Sequence, residues 1–101
     1  MKSRNVEFTH EAQQDLTCLY DWIAETASPV TALSYLERLE KYCRGFDLAS
    51  ERGRARDDIR PGLRIVGFER RVTIAFMVEE ARVVILRLFY GGQNWTEIIE
   101  Q

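Results

Sequence analysis

The first half of the chain has one short strand pattern followed by two helical patterns. Val6-Glu-Phe-Thr alternates apolar and polar positions, which predicts a short strand within residues 1–9. Two helices are predicted over residues 10–27 and 29–49, because apolar residues then recur three or four positions apart. The first stripe is Ala12, Leu16, Leu19, Tyr20, Ile23, Ala24 and Ala27, and the second is Ala32, Leu36, Leu39, Cys43 and Phe46. Thr9 and Ser28-Pro29 are suitable helix starts, so we expect an antiparallel helical hairpin.

The second half of the chain changes to a β pattern. Residues 50–62 have no periodicity and carry Gly53, Pro61 and Gly62, which predicts a loop. Three runs rich in β-branched and aromatic residues follow within residues 63–90, and short polar connections separate them: Leu63–Phe68, Val72–Val78 and Val83–Tyr90. The predicted fold is a single α+β domain over residues 1–101, with a three-stranded antiparallel meander packed against the helices and a tail at 91–101.

Strand alternation predicts which side chains lie under the helices. In the last strand the apolar set is Val84, Leu86, Leu88 and Tyr90, and the set expected on the open face is Val83, Ile85, Arg87 and Phe89. In the middle strand the larger set is Val72, Ile74, Phe76 and Val78, and the smaller set, which tolerates solvent better, is Thr73, Ala75 and Met77.

Charge is distributed unevenly along a chain whose net charge is only −2. Residues 52–90 carry nine arginines and no lysine against five acidic residues, while residues 1–51 are acidic. Arginine forms bidentate contacts with carboxylates and phosphates. This block is therefore either a surface for an acidic partner or nucleic acid, or a solvated face with local ion pairs.

The composition favours a cytoplasmic protein with no cofactor. Cys18 and Cys43 both lie in helical patterns, which fits free thiols in a reducing compartment better than a disulfide. No spacing suggests a metal site, no apolar run could span a bilayer, and the N-terminus lacks a signal-peptide pattern.

Candidate catalytic chemistry is sparse. His10 is the one histidine and has no orienting partner nearby in sequence, so we expect a surface histidine. Asp57-Asp58 is more typical of a capping or ion-pair role than of a catalytic carboxylate pair. What remains is Arg64, Arg71 and Arg87 on or beside three successive strands, with Tyr90 as a proton donor. If these share the open face they could hold a phosphate, or else the arginines pair with acidic neighbours.

The residues nevertheless resemble a known family over nearly the whole chain. The most specific segments are "ERGRARDDIRPGLR" and "VVILRLFYGG", and "VEFTHEAQQDLTCLYDWIAE" and "ALSYLERLEKYC" match the family's first strand and helices. The chain resembles ParE-type toxins of the RelE/ParE superfamily, found in type II toxin–antitoxin operons such as plasmid stabilisation systems.

The resemblance implies a toxin that inhibits DNA gyrase and is neutralised by a ParD-like antitoxin in a hetero-oligomer, without membrane association or sequence-specific DNA binding of its own. RelE-like members instead cut messenger RNA on the ribosome, using basic and aromatic residues on the open sheet face and after the last strand. Here Tyr90-Gly91-Gly92 stands where ParE-like members often have His-Gly-Arg, and no basic residue follows. This departure counts against ribonuclease chemistry. It also leaves open a third hypothesis, a non-toxic module that only binds the antitoxin.

Two sets of binding residues follow from these considerations. The set expected to contact the target is Arg64, Arg71, Arg87, Phe89, Tyr90 and Trp95. Trp95 either folds back as a lid on the core or is presented to the target. The set expected to contact the antitoxin is Tyr20, Trp22, Tyr35 and Tyr42, since several of these aromatics lie beside the core stripes. The alternative, strongest for Tyr20, is that they widen the core.

Overall fold

The computed structural model describes residues 4–47 and 52–91. Strand β1 spans Asn5–Phe8, helix α1 spans His10–Thr26 and helix α2 spans Pro29–Arg44, and a 3₁₀ turn follows at Gly45–Asp47. The remaining strands are β2 (Arg54–Ala55), β3 (Leu63–Phe68), β4 (Val72–Val78) and β5 (Arg82–Tyr90). The predicted α+β class is therefore confirmed.

The strands form one mixed sheet in the order β1-β5-β4-β3-β2. Strands β3, β4 and β5 are the antiparallel meander that the sequence predicts. The first strand lies parallel to β5, and Val6 is the register partner of Val83. Strand β2 pairs antiparallel with β3 inside the segment that was expected to be a loop.

The helix starts follow from local chemistry. The side chains of Thr9 and Ser28 accept hydrogen bonds from the amides of Ala12 and Thr31, and Pro29 occupies the first helical position. These caps satisfy donors that have no partner within the helix. The prediction that the second helix continues to residue 49 was wrong, because the α-helix ends at Arg44 and Gly45 begins the 3₁₀ turn.

The main core lies between the helices and one face of the sheet. Helix α1 contributes Leu19 and Ile23, and helix α2 contributes Leu39 and Cys43. The expected middle-strand set is confirmed, since Val72, Ile74 and Phe76 are buried in this core and Val78 packs against it. Ala75, of the opposite set, belongs to a second buried cluster.

A bulge in β5 changes its alternation. Phe76 is the register partner of Ile85, but Ala75 is the partner of Arg87, so Leu86 is an extra residue. The prediction that Val83 and Ile85 face away from the helices was therefore wrong, since both lie in the main core, and Leu86 packs with the second cluster. The expected assignments of Leu88 and Tyr90 to the helical side were correct.

The second cluster covers part of the sheet face away from the helices. Its buried members are Leu63, Ala75 and Phe89, with Ile59, Ile65 and Leu86 packed against them. Ile59 belongs to the turn after β2, which is closed by a hydrogen bond from its amide to the carbonyl of Arg56 (3.1 Å). The face expected to be open is thus partly covered.

Candidate binding surface

The four residues considered as a catalytic group do not surround one point. Arg71 follows the β3–β4 turn, at the end of the sheet where Phe68, Val72 and Tyr90 are register partners. Arg64 pairs with Phe76, which is five residues after Arg71. At the rise of an extended strand this separates the backbones of Arg71 and Arg64 by about 16 Å along the strand direction.

Arg64 also lies on the other side of the sheet from the expected one. It alternates with Leu63 and Ile65 of the second cluster, so it shares the helical side with Val66 and Phe68. Its Nε donates to the carbonyl oxygen of Arg52 (3.1 Å) and its Nη2 to that of Gly53 (3.3 Å). Arg64 therefore ties the segment before β2 to β3.

Arg87 is engaged within the protein. Its Nε and Nη2 donate to the two carboxylate oxygens of Asp15 on α1, at 2.8 and 3.0 Å. These hydrogen bonds raise the pKa of Arg87 above its ordinary value. The guanidinium also lies 5.3 Å from the centre of the Phe89 ring. Phe89 itself is only 2% exposed, which contradicts its expected place on an open face.

Tyr90 and Arg71, which were expected to contact the target, lie near Trp22, which was expected to contact the antitoxin. The Tyr90 ring lies 5.3 Å from that of Trp22, centre to centre, with the planes tilted by 37°. Burial raises the pKa of the Tyr90 hydroxyl. Next to this pair is a cavity of about 280 Å³ lined by Trp22, Arg70, Arg71 and Gly91. The structure thus brings two expected target residues, Arg71 and Tyr90, and one expected antitoxin residue, Trp22, to the same end of the sheet.

Arg70 is a member of this site that the sequence reasoning missed. The sequence predicts a short hairpin connection at Glu69-Arg70-Arg71, and the two adjacent arginines in that connection are the signal that could have identified it. Glu69 and Arg70 have φ values of 49° and 60°, and the amide of Arg71 donates to the carbonyl of Phe68 (3.1 Å). Two central residues with positive φ are typical of a tight type I′ hairpin turn, which projects the arginines at the end of the sheet.

The four aromatic residues expected to bind the antitoxin have different environments. Tyr35 is 5% exposed, and its ring meets that of Phe68 edge to face. Tyr20 and Tyr42 pack against the main core, and the Arg52 guanidinium lies over the Tyr42 ring. Trp22, at 38% exposed, is the only one of the four that is exposed, since Tyr20 and Tyr42 are half-buried.

Two exposed apolar residues were not anticipated. Val30 and Leu33 of α2 are 79% and 56% exposed. They lie three positions apart and so share a helix face. They stand outside the core stripe of α2, which is the signal that could have identified them. Val30, Leu33 and Trp22 are thus three exposed apolar side chains on the helical hairpin.

The described residues offer little chemistry for covalent catalysis. His10 is exposed at the start of α1, with its ring nitrogen 3.1 Å from the side-chain amide of Gln14. Asp57 accepts a hydrogen bond from the amide of Gly62 (2.8 Å), and Asp58 pairs with Arg56 (2.9 Å), in agreement with the expected capping and ion-pair roles. No group of three potential metal-binding side chains occurs in residues 4–47 and 52–91.

Within the described part of the chain, no helix has the length and apolar character needed to cross a membrane. Trp95, expected to contact the target or cover the core, lies outside the described residues.

Comparisons with known proteins agree with this architecture. A search of solved structures found a chain of the chromosomal ParDE TA system from P. aeruginosa, with a TM-score of 0.76 and 24% identity. The match covers 87% of this chain and 96% of that one, and shows a shared fold. No match was found among curated proteins. The family model for the ParE toxin of the type II toxin–antitoxin system parDE matches residues 6–95. The chain therefore belongs to the ParE toxin family.

Proposed function

We propose that this protein is the toxin of a ParDE pair, that it binds DNA gyrase and blocks replication, and that a ParD-like antitoxin encoded beside it neutralises it. The observation that carries the proposal is the family match over residues 6–95. A protein of this kind acts by binding, without chemistry of its own.

The side chains of the described residues support action by binding. The arginines considered for catalysis are spread over both sides and one end of the sheet, and Arg87 is neutralised by Asp15. Ribonuclease chemistry would need a proton acceptor beside them, and arginine is a poor general base. Exposed arginine and aromatic side chains, by contrast, are typical of protein interfaces.

We assign the target contact to the end of the sheet where β5 finishes. Arg71 and Tyr90 of the expected set are close to each other there, and the chain continues from Gly91 toward Trp95. Arg64, Arg87 and Phe89 contribute by holding the strands that present this end, because their side chains are engaged internally.

We assign the antitoxin contact to the helical hairpin and the neighbouring sheet end. Val30 and Leu33 offer exposed apolar surface on α2, and Trp22 does so on α1. A disordered antitoxin segment that folds on binding could place an amphipathic helix there. Neutralisation then follows from covering the surface that binds the target.

Induced expression without the antitoxin, followed by labelling of new DNA and new protein, tests the proposal. DNA synthesis should stop first while protein synthesis continues, and co-expression of the neighbouring antitoxin gene should restore growth. Early arrest of translation with cut messenger RNA would contradict the proposal in favour of a ribonuclease. Normal growth at a verified toxin level would contradict it in favour of a non-toxic binding module.

A further inference from the structure

The cavity at the end of the sheet combines an exposed indole with two guanidinium groups. Trp22 comes from α1, Arg70 and Arg71 come from the β3–β4 turn, and Gly91 follows β5. Three separate parts of the chain thus converge on about 280 Å³ of space. The site is therefore a cavity lined by three parts of the chain, and not a single exposed side chain.

The Trp22 side of the cavity is held by packing. Trp22 rests against Tyr90, whose neighbours Leu88 and Val72 are buried in the main core. Gly91 has a φ of +62°, and a Cβ placed there would lie 3.7 Å from Cζ2 of the indole. The backbone at Gly91 therefore lies close to Trp22, and part of the indole stays exposed.

The two arginines have charges that the described residues do not neutralise. Neither guanidinium makes an ion pair or a hydrogen bond within residues 4–47 and 52–91. The nearest acid in sequence, Glu69, is held by Arg38 through bonds of 3.0 and 3.2 Å. Those bonds lower the pKa of Glu69, and Arg71 contributes to the lowering only through its charge. The site is thus positive and has room for an anion.

The surroundings favour a short acidic peptide over a nucleic acid. Asp21 and Glu25 are exposed on α1 on either side of Trp22 in sequence. They would repel a phosphate backbone continuing along the helix, since nucleic acids require an extended positive track. A peptide needs only one or two carboxylates at the arginines and an apolar side chain on the indole. Guanidinium–carboxylate pairs are strong when they are bidentate.

We propose that this site binds an acidic segment of the antitoxin, with its carboxylates on Arg70 and Arg71 and an adjacent apolar side chain on Trp22. The inference rests on the proposed function, because it assumes that the neighbouring gene encodes a binding partner. It adds the chemistry of the segment that is bound and the residues that receive it.

Calorimetric titration of the full-length toxin with that antitoxin tests the inference. R70Q/R71Q should lower the affinity roughly tenfold or more at low ionic strength, and added salt should reduce the difference. R70K/R71K keeps the charge but loses the bidentate geometry, so it should fall between the wild type and R70Q/R71Q. The matched control is R54Q/R60Q, which removes the same charge at two exposed arginines on and after β2. It should bind as the wild type does.

The outcomes separate the inference from the proposed function. If the antitoxin binds the wild type and R70Q/R71Q equally well, the inference is overturned and the proposed function stands. Equal losses in both double variants would also overturn it, because charge alone would then explain the effect. If the antitoxin does not bind the wild type at all, the proposed function fails with it. Unchanged unfolding temperatures for the variants would show that the losses are not due to misfolding.

Discussion

Arg87 and Asp15 join the last strand to the first helix across the edge of the sheet. The guanidinium of Arg87 donates two hydrogen bonds to the Asp15 carboxylate, which also accepts the amide of Leu88 (2.9 Å). The pairing of β1 with β5 ends at Phe8 and Ile85, so the Leu88 amide lies beyond the last paired residue of β1. Asp15 thus satisfies a backbone donor of β5 that β1 does not reach.

Replacing Asp15 with alanine should lower the free energy of unfolding by about 2–4 kcal/mol, because it leaves a part-buried guanidinium and a backbone amide without their acceptor. Urea denaturation measures this loss. Asp21→Ala on the same helix is the control, since Asp21 is exposed. The interpretation would be wrong if both variants lost the same stability.

The distribution of charge in the sequence indicated an arginine-rich surface within residues 52–90, but not which of these arginine side chains are exposed. Alternation counted through β5 gave the wrong face for Val83 and Ile85, because the extra residue at Leu86 reverses the phase between them and Leu88, and no local signal marks a bulge of this kind. Helix starts were predictable, since Thr9 and Ser28 cap through chemistry within three residues. Phe89 is buried in a cluster with Leu63 and Ala75, against which Ile59 packs, and these residues are distant from Phe89 in sequence.

Tyr35→Phe should leave the stability unchanged or raise it by up to about 1 kcal/mol. The Tyr35 hydroxyl is buried and has no hydrogen-bond partner among the described residues, and burial of an unsatisfied hydroxyl is unfavourable. Burial, followed by the charge of Glu69, raises the pKa of this hydroxyl. Thermal unfolding compared with Tyr35→Leu, which removes the ring packed against Phe68, provides the control. A clear loss of stability in Tyr35→Phe would show that the hydroxyl has a partner.

The two cysteines should differ in reactivity in the folded protein. Cys18 is exposed, whereas Cys43 is buried in the main core, and burial raises the pKa of its thiol to about 12. Only the thiolate reacts readily, so a thiol reagent at pH 8 should modify one cysteine quickly and the second only on unfolding. Mass spectrometry of Cys18→Ser identifies the slow site. Rapid labelling of that variant would contradict the described core.

Trp22→Ala should weaken antitoxin binding more than it weakens folding. The indole is 38% exposed and packs against Tyr90, so a stability loss of about 1–2 kcal/mol is expected from the buried part. Loss of an interface anchor should cost about 2 kcal/mol or more in binding. Calorimetry and urea denaturation give the two numbers. Equal losses would favour a purely structural role for Trp22.

The proposed target of the toxin is DNA gyrase, and inhibition of gyrase is the property on which the proposed function depends most. Supercoiling of relaxed plasmid by purified gyrase, with and without the protein, measures this directly. We predict inhibition that increases with toxin concentration and is reversed by prior incubation with the antitoxin. Full supercoiling at a large excess of toxin, with no trapped cleavage complex, would contradict the account.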